Sequence, residues 1–147
     1  MARAAVDVWL ERAGALTVVP TTLADSLVHL AAGNLDGLGD EELVVGTAGG
    51  AIDLVYEPPS GSTGDDRPAV RRLASLGARS LSPLALADVD GNGTLEIAVA
   101  TESAMHLLAS SGAAMTGWPY PFQREPALEG EREPGRGAGS PLVGDLD

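Results

Sequence analysis

This chain of 147 residues carries a net charge of −12, and its nine basic residues are all Arg, so it lacks the clustered cations that hold nucleic-acid phosphates or anionic membrane surfaces. It has no Cys, which excludes disulfides, thiolate metal sites and cysteine nucleophiles but does not fix the compartment. No apolar run approaches the roughly 18 residues of a membrane helix, and with aromatic residues at 3% the core must be built from Val, Leu, Ile and Ala.

Short alternating runs separated by turn residues predict an all-β chain. Residues 6–11 and 15–19 flank Arg12-Ala13-Gly14, a three-residue hairpin connection ending in Gly. Residues 22–30 show the best rival helical period, over a short stretch. Residues 27–32 and 42–47 flank an acidic loop at 34–42, and Ala48-Gly49-Gly50 turns the chain into 51–57. Residues 57–68 are rich in Pro, Gly, Ser and charge, as are 123–139. Neither segment has the apolar surface to offset its ordering entropy, so both read as excursions between strands. Residues 84–87 lead into a second acidic loop at 88–96, and 96–101 leave it. Glu102-Ser103 then turns the chain into 104–109, and an outer strand is expected within 112–122. A third loop opens at Gly144-Asp145-Leu146-Asp147.

The order repeats. Asn34-Leu35-Asp36-Gly37-Leu38-Gly39-Asp40-Glu41-Glu42 precedes Asp88-Val89-Asp90-Gly91-Asn92-Gly93-Thr94-Leu95-Glu96 by 54 residues. Both loops run into apolar segments ending in Thr47 and Thr101. Residues 6–11, 52–57 and 105–110 form a second recurring element. The chain is therefore expected to start late in one repeat and stop early in another. Periods of this size mark solenoids, propellers or arrays.

The second loop carries the clearest chemistry. Asp88, Asp90, Asn92 and Glu96 put side-chain oxygens at loop positions 1, 3, 5 and 9, Thr94 offers its carbonyl, and Gly93 supplies the sharp turn. Calcium takes six to eight oxygen ligands at flexible geometry, and such a loop supplies most of them. An EF-hand needs a bidentate acid at position 12, which here is Val99, and flanking helices where a strand is expected. A hairpin loop closed by Asx-turns is the competing reading. The first loop offers Asn34, Asp36, Asp40 and Glu42 but has Leu38 at position 5, so it predicts a weaker site. Asp145 and Asp147 begin a third set that stops short.

Other residues point to structure. His29 and His106 have no companion at ligand spacing, and His106 fills the slot of Asp7 and Asp53, expected to face outward. No Gly-x-Ser-x-Gly elbow occurs. Trp118-Pro119-Tyr120-Pro121-Phe122 reads either as a carbohydrate-stacking platform or as a plug between neighbouring units.

Four strands per unit fit a β-propeller blade. The run Asp88 to Glu96, continued by Ile97-Ala98-Val99-Ala100 and followed by Gly117-Trp118-Pro119, resembles the FG-GAP/VCBS-type repeat, the unit of the integrin α-subunit propeller. The resemblance spans nearly the whole chain, as parts of three or four blades. It implies a loop that joins the first two strands of a blade and holds Ca2+. It implies an incomplete arc of about two full blades with partial ones at its ends. Apolar inter-blade surface would be left exposed, with self-association through open blade edges. The function it implies is a non-catalytic adhesion or binding scaffold for a protein or carbohydrate ligand, outside the cell or on its surface. The alternative is the propeller portion of an extracellular hydrolase or polysaccharide lyase.

Overall fold

The computed structural model describes residues 4–12, 15–38, 40–57, 68–77, 81–122 and 141. Its strands form one hairpin and two four-stranded antiparallel sheets, with no helix among the described residues. The hairpin pairs β1 (Ala4–Arg12) with β2 (Ala15–Leu23). The first sheet runs β3 (Leu27–Gly33), β4 (Glu42–Thr47), β5 (Ala51–Tyr56) and β6 (Ala69–Ser75) in chain order. The second runs β7 (Ala85–Ala87), β8 (Glu96–Ala100), β9 (Ala104–Leu108) and β10 (Tyr120–Pro121) in the same order. The expected repeat is thus a structural one: two meanders, each with its acidic loop between the first and second strands. The third loop, with Asp145 and Asp147, lies outside the described residues, as do most of 57–68 and all of 123–139.

The inner strands are apolar without alternation because both of their faces are covered. Along β4, Val44 enters a core shared with the second sheet, while its neighbour Val45 enters a core shared with the hairpin. The first core joins Leu35, Val44, Ile52 and Leu54 to Leu81, Ile97, Val99 and Leu108. The second joins Val45 and Val55 to Val8 and Leu23. Each such side chain, fully buried, contributes about 1.5–3 kcal/mol. The first sheet is therefore the middle layer. Two close approaches tie it to the second sheet. A Cβ on Gly112, whose φ is 88°, would meet the Leu73 carbonyl oxygen of β6. The His29 ring nitrogen Nε2 lies 3.0 Å from the carbonyl oxygen of Leu81.

Four sequence expectations change. Strand β6 was not foreseen, because Arg71 and Arg72 interrupt its apolar pattern; charged, exposed side chains suit an edge strand. The outer strand expected within 112–122 shrinks to Tyr120–Pro121 and one bridge, Leu108 to Ala114. Gly112 and Gly117 take positive φ there, and Pro119 and Pro121 lack the N–H a ladder needs. The slot of Asp7, Asp53 and His106 faces outward only at Asp7, which is exposed. Asp53 is 2% exposed and bonds Arg72, while His106 is half-buried opposite Val99, on the side of β9 that meets the first sheet. Finally, Trp118 is half-buried, while Tyr120 and Phe122 are exposed.

Apolar exposure differs between the outer faces of the two sheets. Val28 and Leu30 are exposed on the β3 face that continues the hairpin core. On the second sheet, the face pointing away from the first carries Ala98, Ala100 and Leu107, all buried.

Candidate metal centre

The second loop is a hairpin connection whose ends are fixed by the Ala87–Glu96 pair. Gly91 and Gly93 take φ of 74° and 88°, which lets eight residues coil tightly between β7 and β8. Asp88 anchors the coil: its Oδ1 accepts the Asn92 N–H at 3.0 Å and its Oδ2 the Gly93 N–H at 2.9 Å. Asp90 Oδ1 also accepts the Asn92 N–H, at 3.1 Å. The Asn92 side-chain oxygen accepts the Thr94 N–H at 2.7 Å and the Thr94 hydroxyl. Glu96, 1% exposed at the start of β8, accepts the Val89 N–H at 2.7 Å.

These bonds aim the carboxylates at one point. One oxygen each of Asp88, Asp90 and Glu96 lies within 4.8 Å of the others. Ligands held by one calcium at about 2.3–2.6 Å each are separated by at most about 5 Å, so the three fit a single ion. Like charges this close repel, and a hard cation among them relieves that repulsion. The donor set is all oxygen, which suits Ca2+, Mg2+ or Mn2+ rather than a soft metal. Of the five residues expected as ligands, three carboxylates converge. Asn92 and Thr94 are bonded to each other beside them, in the Asx-turn arrangement named as the competing reading.

The first loop keeps the same frame. Its ends are fixed by Gly33–Glu42, and Gly37 takes the same φ of 74° as Gly91. Asn34 Oδ1 accepts the Gly37 N–H at 2.7 Å, and Asp36 Oδ1 the Leu38 N–H at 2.8 Å. Glu42 accepts the Leu35 N–H at 2.8 Å. Leu38 takes the place of Asn92 and is 84% exposed. Among the described residues, Asp36, Asp40 and Glu42 form no group that meets the distance criterion satisfied by the second loop. Gly39 lies outside the described residues.

Sequence reasoning missed two features that both loops share. The ninth residue bonds the second residue's amide, and the second residue is apolar. The sequence signal is the pairing Leu35…Glu42 and Val89…Glu96, in which an acid at position 9 is equally suited to be a ligand. Comparison with protein-family models, with curated proteins and with solved structures gave no match to this chain.

Proposed function

We propose that the chain is a calcium-binding β-propeller module of the FG-GAP/VCBS kind that serves as a scaffold for a protein or carbohydrate ligand. Two successive four-stranded meanders packed face to face support the propeller reading, with each meander's loop in the same slot. The observation that carries the calcium assignment is the convergence of Asp88, Asp90 and Glu96 in a loop already coiled by its own side-chain bonds. Such a loop needs little reorganisation to take up an ion. With three charged ligands, an affinity on the order of 10⁻⁴ to 10⁻³ M is expected, matched to the calcium outside cells. That range favours extracellular or cell-surface placement. Isothermal titration with calcium tests the reading. The wild type should give one binding event, and Asp90→Ala should give none; equal heats from the two proteins would overturn it.

A further inference from the structure

Glu42 and Glu96 are the only acids buried at the mouth of either described loop, and their burial demands a donor. An ionised carboxylate taken out of water is costly unless it is hydrogen-bonded. In both loops the donor is the amide of the loop's second residue: Leu35 N–H to Glu42 Oε2 at 2.8 Å, and Val89 N–H to Glu96 Oε2 at 2.7 Å. Bonds of this kind, amide to carboxylate, are stronger than neutral ones. Each ties the entry of the loop to the first residue of the strand that leaves it.

The two loops share a backbone frame and differ in the side chains around that bond. In the second, the glutamate shares its surroundings with Asp88 and Asp90. In the first, Leu38 breaks the ligand pattern, yet the bond is unchanged. A contact kept where the ligand set is broken is not explained by a cation. What distinguishes the first loop is the residue whose amide is held. Leu35 is 2% exposed and sits in the core between the sheets, with Val44, Ile52 and Ile97. Val89, its counterpart, is 48% exposed.

We propose that Glu42 is a positioning residue that seats Leu35 in the inter-sheet core, making the first loop a joint between the sheets that works without metal. Holding the Leu35 amide fixes the backbone from which its side chain drops into the core. The second sheet then packs against a loop that is already rigid, whatever the calcium level.

Amide hydrogen exchange on the full chain tests this, read at Leu35 in EDTA and again in calcium. The Leu35 amide should be protected in EDTA, and calcium should add nothing. Glu42→Gln keeps an acceptor oxygen in place and should retain the protection. Glu42→Ala should speed exchange at Leu35 by roughly ten- to hundred-fold. Free exchange of the wild-type Leu35 amide in EDTA, or protection that appears only with calcium, would overturn the proposal. So would a Glu42→Gln chain as unprotected as Glu42→Ala. If Glu42→Ala does not fold, the wild-type measurements and Glu42→Gln still decide. All readings in EDTA are independent of whether the second loop binds calcium.

Discussion

The two acidic loops share a backbone frame and diverge in what they do with it. The first loop turns its second residue inward: Leu35 is a core residue, and Leu38 is the exposed tip. The second turns its acids toward one another: Asp88, Asp90 and Glu96 converge, while Val89 lies half in solvent. One scaffold therefore either buries a side chain or gathers carboxylates, according to a few side chains. A carboxylate at position 9 is common to both, so the acid that looks most like a ligand in the sequence is also a structural bond.

The largest expected effect breaks the comparison at position 2. Leu35→Ala should leave a cavity between the sheets and cost about 2–5 kcal/mol. Val89→Ala, at the same position of the other loop, should stay within about 0.5 kcal/mol of wild type. Urea unfolding of both variants measures this directly. Equal losses would mean that the loops do not divide the work as described.

Next in size is the ion itself. At calcium a hundred times its dissociation constant, binding to the folded state alone adds about 2.7 kcal/mol. Thermal melting with calcium and with EDTA should show that gain in wild type and in Asp36→Ala. Asp90→Ala should lose it. A gain that vanishes in Asp36→Ala and survives in Asp90→Ala would place the ion in the first loop.

Much of this division could be read from residue order, and some could not. The acidic spacing and the turn glycines placed both loops and the strands on either side of them, because hairpin ends and apolar runs are local features. The second layer of meaning was not local. Whether position 2 is buried depends on which surface lies beside the loop, so Leu35 and Val89 look alike in sequence. Strand β6 escaped notice because an edge strand needs apolar residues on one face only, and Arg71-Arg72 blurs even that. The slot of Asp53 looked solvated because it is polar in every copy. Its burial depends on Arg72 from the neighbouring strand, 19 residues later.

A graft sharpens the comparison further. Asn34→Asp combined with Leu38→Asn gives the first loop the side chains of the second at positions 1 and 5. Calcium titration should then show two sites, against the one expected in wild type. At ten times the new dissociation constant the added stability is about 1.4 kcal/mol. A stoichiometry still at one would mean that the frame around Leu35 holds the loop too rigidly for its carboxylates to converge.

The smallest effect concerns the equivalent slots one strand further on, Asp53 and His106. Asp53 is paired with Arg72, so its charge is compensated within the first sheet. His106 has the Thr101 hydroxyl 3.4 Å from its ring nitrogen and lies opposite Val99 where the sheets meet. Burial lowers its pKa below the ordinary 6.5. The folded state thus favours the neutral ring, and the unfolded chain binds the proton more readily. Stability from this group is complete above 6.5 and is lost as pH falls from there through the folded pKa. Unfolding free energies measured from pH 7.5 down to about 5, before carboxylates dominate, should therefore decline with acid. In His106→Gln, which cannot take up the proton, the decline should flatten. An unchanged slope in that variant would show that the joint between the sheets is insensitive to this ring, and that the two slots differ in chemistry without differing in consequence.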